Sequence, residues 1–358
     1  MRILDRYLLR EFVVYLIMGL LAFVGIFVIV DVFEKIDTFV DAQAAPALVV
    51  RFYLTYVPVV LVQILPVAVL LASLLSLGRF VRYNELTAMR IAGQSLYRIF
   101  RPLFALALAL SVVSFVLGEA VVPEANHRRK KVMDQEIKQK PELPSRRQDV
   151  RYIGRDGRIY ILGSYDTQRA MMRDVVVQEF KAGTLSRRID ARLGQWKEDH
   201  WELASGYVRT FNADTVGTRR FDRLVLEAPE RPEEFAKEER DPEVMGFLEL
   251  RRWIERFRES GGEVRPYLVD LHLKLASPLT NLITVLIGAS LSTRIRRGGT
   301  ALGFGLSLVI SFVYYSLIRA GQALGHGGAL PPVLAAWISN LIFGALALTL
   351  LARAQRGM

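Results

Sequence analysis

Six apolar runs, split three and three by a long polar block, constrain this chain more than any other feature. The runs are Phe12 to Phe33, Phe52 to Leu77, Pro102 to Val122, Leu271 to Leu291, Ala301 to Leu324 and Val333 to Leu351. Each has about the twenty apolar residues a helix needs to cross the hydrocarbon of a bilayer. The first is too long for a signal-peptide core and lacks a small-residue cleavage site, so it is expected to stay in place as a span. Pro58 and Pro66 fall inside the second run, where neighbouring helices can satisfy the carbonyls they free. Ahead of the first run, Arg2, Arg6 and Arg10 surround Ile3, Leu4, Tyr7 and Leu8, which predicts an amphipathic turn or two at the membrane surface.

Composition agrees only if charge and apolar surface are segregated. Of the residues, 52% are hydrophobic and 23% charged, with a mean hydropathy of +0.25. The net charge is +11. Its arginines gather at the ends of the apolar runs and in the polar block, with no stacking-aromatic motif among them, which argues against a nucleic-acid partner. With no cysteine in the chain, disulfides, thiolate metal sites and thiol catalysis are excluded.

The polar block, Pro123 to about Val244, opens with a charged helix-like run from Glu124 to Lys140 and then changes period. Asp156-Gly157 between two alternating apolar stretches is a hairpin signal. Val175 to Phe180, Leu185 to Trp196, Trp201 to Phe211 and Phe221 to Leu226 read as further strands. Short strands at this spacing predict a sandwich or an open curled sheet. From Met245 an amphipathic helix places Phe247, Leu250, Ile254 and Phe257 on one face and ends at Gly261-Gly262. The expected fold is therefore an α-helical membrane protein of six spans with an inserted all-β domain. The expected boundaries are 1–122 for the first membrane half, 123–244 for the β domain, and 245–358 for the amphipathic helix and second membrane half.

Basic residues set the expected orientation. Arg2, Arg6 and Arg10 precede span one, Arg79, Arg82, Arg90, Arg98 and Arg101 flank the loop after span two, Arg294, Arg296 and Arg297 follow span four, and Arg353 and Arg356 end the chain. The opposite short loops hold Lys35 and Arg51 in one case and no basic residue from Gly325 to Pro332 in the other. Both ends and the Asn84 loop are predicted to be cytoplasmic, and the β domain exported.

The chain shows no engine of its own. It has no G-x-x-x-x-G-K-[ST] for ATP. Gly298-Gly299 and Gly303-x-Gly305 read as a loop and a close-packing helix face. His127, His200, His272 and His326 are scattered without metal-ligand spacing. Only His272, beside Asp270 and Lys274, has conceivable functional neighbours, and an interfacial polar residue is the simpler account. Ser290 and His326 fall near opposite faces of the membrane, so they do not make a protease pair. No catalytic residue, metal site or cofactor is expected.

Two other stretches carry chemistry. Between spans two and three, Asn84 is a candidate N-cap, Glu85 suits the positive end of a helix dipole, and Gly93 can stop the helix in the left-handed conformation. The prediction is a helix of about two turns, with Leu86, Met89 and Ile91 to one side and Glu85, Thr87 and Arg90 more exposed. Too short to persist alone, it is a place for a soluble partner to push. At the other face, Lys35 and the run Arg128-Arg129-Lys130-Lys131 would stand at headgroup height. They are either paired or solvated, Lys35 with Glu34 or Asp37, or together a seat for an anionic glycolipid.

The order of these features resembles the LptF/LptG permeases of lipopolysaccharide export. The resemblance rests on Asn84-Glu85-Leu86-x-x-Met89-Arg90-x-x-Gly93, Gly118-Glu119-x-x-x-Pro123-x-x-Asn126, Leu271-His272-x-Lys274-x-Ala276-x-Pro278, Arg297-Gly298-Gly299, Leu330-Pro331-Pro332 and Trp337-x-x-Asn340. It implies a bacterial inner-membrane subunit of an ABC transporter, paired with a paralogous permease and seated on a dimeric ATPase that alone uses ATP. Asn84, Glu85, Leu86, Met89 and Arg90 would then form the coupling helix. Lys35, Arg128, Lys130 and Lys131 would contact lipopolysaccharide phosphates, and a jellyroll-like periplasmic domain would pass the lipid to a bridge of similar folds. Two other readings stay open, a permease for a different lipid or lipoprotein and a membrane sensor with an exported ligand-binding domain. The sensor would need a cytoplasmic output domain, and the longest predicted cytoplasmic segment is the short Glu85 loop.

Overall fold

A computed structural model describes residues 3–139, 146–154, 158–181, 184–212, 215–227, 230–236, 244–259, 263–293 and 300–356. The described chain divides into two compact units, one formed by Met1–Met133 with Leu268–Met358 and the other by Asp134–Tyr267.

The first unit holds six helices long and apolar enough to span a membrane. They are α1 (Ile3–Asp41), α2 (Pro46–Arg82), α4 (Leu96–Ala120), α8 (Arg265–Ser292), α9 (Thr300–His326) and α10 (Pro332–Arg356). The short α3 (Glu85–Ile91) and α5 (Val122–Lys131) follow α2 and α4. Helices α2 and α8 form the centre, with 61% of the apolar stretch of each buried. Their axes approach closely because Gly288 leaves room for Ser73, whose Cβ would lie 2.4 Å from any Cβ at that position. Gly303 packs against Leu75 in the same way, whereas Gly305 faces open space. Polar side chains tie the helices of this unit together. The Tyr315 hydroxyl donates to the Gln63 carbonyl beside Pro66, Asn340 donates to the Ala276 carbonyl at 2.8 Å, and Tyr314 donates to Asn340 at 2.5 Å.

The second unit is one six-stranded antiparallel sheet in consecutive order. Its strands are β1 (Arg146–Ile153), β2 (Ile159–Asp166), β3 (Met171–Lys181), β4 (Thr184–Lys197), β5 (His200–Asn212) and β6 (Thr215–Leu226). The β1–β2 hairpin has Ile153 opposite Ile159; its predicted Asp156-Gly157 turn lies outside the described residues. Alternation buries Tyr160, Leu162, Val175, Val177, Ile189, Trp201 and Leu203 on one face. In place of a second sheet, that face is covered by the segment leading into α6 (Pro232–Ala236). Phe235 inserts among Tyr152, Tyr160 and Trp201 with ring centroids 5.0, 5.2 and 5.5 Å away. Hydrogen bonds pin the segment, among them Tyr160 to the Glu230 carboxylate at 2.9 Å, Trp201 to the Glu230 carbonyl at 3.0 Å, Tyr165 to the Pro232 carbonyl at 2.8 Å and Arg147 to the Phe235 carbonyl at 2.7 Å. Gly206 is obligatory on β5, because a Cβ there would stand 2.0 Å from the Asp190 carbonyl oxygen and 2.6 Å from the Phe221 ring.

The unit boundaries differ from those expected at 122 and 244. Helix α5 stays with the spans because it packs on α2, and the division falls in the π-helical turn Val132–Ile137 that follows. The amphipathic α7 (Phe247–Glu259) belongs to the second unit. There Trp253 and Phe257 close an aromatic cluster with Tyr267, in the first turn of α8, at 4.7 and 5.6 Å. The predicted stop Gly261-Gly262, the basic residues Arg294, Arg296 and Arg297, and the Gly298-Gly299 loop lie outside the described residues.

Candidate functional site

At one end of the helical unit α3 emerges from the bundle. Asn84 stands at the cap position, but its side chain makes no capping bond. Its backbone is left-handed, φ 58°, a conformation asparagine tolerates, so Asn84 stops α2 and redirects the chain rather than satisfying an α3 amide. Ala88 N–H bonds the Asn84 carbonyl at 2.9 Å to close the first turn. Gly93 ends the helix as predicted, at φ +84°. Gln94 and Gly93 donate to the Met89 and Arg90 carbonyls at 3.2 and 2.9 Å, the paired pattern of a Schellman cap.

Leu86 is the root of α3. It is buried in a cluster with Leu8, Phe12, Leu77, Phe80, Leu96 and Phe100, and Met89 packs against the same cluster. Ile91 does not join them: it is 84% exposed. At 100° per residue it stands far around the helix from Met89, so the expected shared face was misassigned. The tip consists of Thr87, Ala88, Ile91 and Ala92, all exposed, while Glu85 and Arg90 are half-buried.

The first turns of α1 surround this root. The Tyr7 ring meets Phe80 edge-on at 5.3 Å. Arg79 of α2 donates to Glu11 at 2.6 Å. Arg98 of α4 stands 3.8 Å from Asp5. Ser95 caps α4 by accepting from Arg98 N–H at 3.3 Å.

At the far end of α1, Lys35 pairs with Asp31 rather than with Glu34 or Asp37. Four residues apart, these two share one helix face. Asp31 is only 6% exposed and also accepts from the Tyr53 hydroxyl at 2.9 Å, as a carboxylate at this depth requires. Phe39 and Phe52 pack edge-on around Tyr53. The Arg129 guanidinium sits 4.3 Å from the centroid of the Tyr56 ring, with the Lys35 ammonium 6.0 Å from the same centroid. Helix α5 thus brings Arg129, half-buried, to Lys35 through a shared aromatic. Arg128 is exposed and bonded to Glu124 at 2.7 Å, and Lys130 and Lys131 are exposed on the same helix. Asp31, Tyr53 and Tyr56 were not anticipated as site residues. The signal for Asp31 was its spacing from Lys35, overlooked because it falls inside an apolar run.

The remaining candidates are structural. Ser290 donates to the Leu286 carbonyl at 2.7 Å and the Ala347 carbonyl at 3.3 Å. Asp270 meets His326 Nε2 at 3.0 Å and Gln322 at 2.8 Å, tying α8 to α9; it was expected beside His272. Among the described residues no cluster of acidic and histidine side chains could hold a metal ion.

Six spanning helices, a sheet inserted between the third and fourth, and an exposed two-turn helix on an apolar root define a multi-pass membrane permease with an inserted β domain. Residues 6–353 match the lipopolysaccharide export system permease family LptF/LptG, and the chain belongs to that family as a permease subunit of lipopolysaccharide export at the inner membrane. It is similar to the lipopolysaccharide export system permease protein LptG of Haemophilus influenzae (strain ATCC 51907 / DSM 11121 / KW20 / Rd), 22% identical over 356 residues covering 98% of each chain.

Proposed function

We propose that the chain is a non-catalytic half of an ATP-driven exporter, paired with a paralogous permease and worked by a dimeric cytoplasmic ATPase that binds the α3 tip. It carries no cofactor, and ATP is spent on the partner. Both termini and α3 face the cytoplasm, and the sheet stands in the periplasm, where it passes lipid to a bridge of similar folds. The observation that carries this is the exposure of Ile91, Thr87 and Ala88 above the buried Leu86. An apolar tip on a rooted two-turn helix is a surface made to be covered. Asn84, Glu85, Leu86, Met89 and Arg90 form the coupling element. At the opposite end the cations of Lys35 and Arg129, with Arg128, Lys130 and Lys131 along α5, suit the phosphates of lipopolysaccharide taken from the outer leaflet.

Mild-detergent purification of the tagged chain with native mass spectrometry tests the assembly. The expected species contains this chain, a second permease, two ATPase copies and bound lipopolysaccharide. A lone chain or homodimer with phospholipid alone would favour the sensor reading. Glu85→Arg should abolish export while leaving membrane insertion intact; normal export by that variant would overturn the coupling assignment.

A further inference from the structure

The amphipathic α7 turns one face inward and leaves the other bare. Leu250 is fully buried, and Trp253 and Ile254 are nearly so, so the apolar side is spent on packing inside the protein. The opposite side carries Leu248, Arg251, Arg252, Glu255, Arg256 and Arg258, all exposed. At 100° per residue they share one arc, with Arg251 and Arg258 at one edge, Arg252 and Arg256 at the other, and Leu248 and Glu255 between. Among the described residues, the exposed charges of this arc are four arginines and one carboxylate. Glu255 meets Arg251 at 3.3 Å, and Arg252 donates to the Leu248 carbonyl at 3.3 Å.

Chain continuity places this helix relative to the bilayer. Trp253 stacks on Phe257 at 4.7 Å, and both rings meet Tyr267. Tyr267 lies in the first turn of α8, which runs on to Ser292 as a span. It precedes Leu271, the start of the apolar run, by four residues, about 6 Å at 1.5 Å per residue. The headgroup layer beyond the hydrocarbon is itself about 5–7 Å deep. The aromatic cluster therefore stands at headgroup height, where tryptophan and tyrosine gather, and it holds α7 there.

We propose that the arginine face of α7 docks on the membrane itself, against the phosphates of anionic lipid headgroups in the leaflet it adjoins. The cations are all arginines, whose planar fork suits phosphate oxygens in pairs. With its apolar side already buried, α7 has little to insert among acyl chains, unlike a free amphipathic anchor. The contact is therefore electrostatic and weakens as salt rises. It holds α7, and the second unit that includes it, at the leaflet surface. The role of α3 does not enter.

The chain has no cysteine, so a nitroxide can be attached at one chosen position. Leu248→Cys places it between the two arginine edges. Val216→Cys, 60% exposed on the edge strand β6, supplies a solvated reference. Each labelled full chain is placed in nanodiscs, and collision with a water-soluble nickel chelate is read by electron paramagnetic resonance. The discs hold phosphatidylglycerol and phosphatidylcholine in equal parts and no lipopolysaccharide, so protection reports the leaflet and not the substrate. Collision at position 248 should be several-fold lower than at 216. It should rise to the reference level in pure phosphatidylcholine, and at molar salt, where the screening length is about 3 Å. Joint substitution of Arg251, Arg252, Arg256 and Arg258 by Gln should also abolish the protection, with a thermal midpoint near the parent's because all four are exposed. Equal collision at the two positions in anionic discs would overturn the proposal. So would protection that survives neutral lipid and high salt, or the loss of the arginines, since a protein neighbour would then be covering the face.

Discussion

Each unit of the molecule buries a carboxylate under a tyrosine hydroxyl, and the two are used differently. In the sheet, Glu230 is fully buried and accepts from Tyr160 at 2.9 Å. Its backbone carbonyl also receives the Trp201 indole, so the group fastens a covering segment over an aromatic core. In the spans, Asp31 accepts from Tyr53 at the same distance, but its second partner is the partly exposed ammonium of Lys35. The first arrangement completes a core that a single sheet cannot close by itself. The second holds a cation in place beside Tyr56 and Arg129. Equal geometry serves closure in one unit and presentation of charge in the other.

Removing what Glu230 fastens should have the largest effect. Phe235 is fully buried and touches four aromatic rings. Phe235→Ala should destabilise the second unit by about 3–5 kcal/mol, the usual cost of a large cavity. Denaturation followed by tryptophan fluorescence would read this through Trp201 and Trp196. A loss below about 1 kcal/mol would mean the covering segment is not part of the core.

Asp31→Ala comes next, at about 3 kcal/mol, since it strands Lys35 without its counter-ion at the edge of the bilayer. Adding Lys35→Met should restore most of the midpoint in detergent, because the pair is then replaced by apolar volume. If the double variant is as unstable as the single one, Asp31 is held for its bond to Tyr53 and not for Lys35.

The same comparison separates residues on α5. Arg129→Glu places a carboxylate against Tyr56 beside Lys35 and should weaken lipopolysaccharide binding at every salt concentration. Lys130→Glu alters an exposed charge, so its smaller effect should fade as ionic strength rises and the screening length shortens. Equal, fully screened effects of both would show that all four cations of the run act as a diffuse surface.

The span and strand pattern was legible because it is written in apolar periodicity, which burial enforces residue by residue. Leu86 and Gly93 were legible too, one as an apolar root and the other as a helix stop. What escaped depends on partners distant in sequence or on backbone state. Asn84 looked like a cap, yet its left-handed φ makes it a terminator. Glu11 and Arg79 lie 68 positions apart in sequence, and nothing local ties them. Asp31 was read as part of an apolar run although its counter-ion Lys35 lies one turn away on the same helix, because its second partner, Tyr53, comes from another helix. His326 and Asp270 meet only once α8 and α9 are packed. The covering segment before α6 was missed for a similar reason: its only regular element is five residues long.

The smallest expected effect tests charge in the sheet against charge in the spans. Glu202 on β5 receives Lys197 at 2.6 Å, and Arg223 lies 3.5 Å away. The Lys197 hydrogen bond, the largest influence, holds the carboxyl below its ordinary value of 4.5, with burial opposing. A carboxyl depressed in the folded state binds its proton more readily when unfolded. Its contribution is therefore fully present above pH 4.5 and is lost as pH falls through the lowered folded value. Both side chains are accessible to water, so the gain is small and screened. Glu202→Gln should leave the thermal midpoint nearly unchanged under strongly acidic conditions and lower it slightly at neutral pH, flattening the acid limb of the profile. A parallel downward shift at all pH values would mean Glu202 acts through packing across the β4–β5 pair. Because Lys35 and Asp31 are partly shielded from solvent ions, added salt should erase the Glu202 difference while leaving the Asp31 one largely in place.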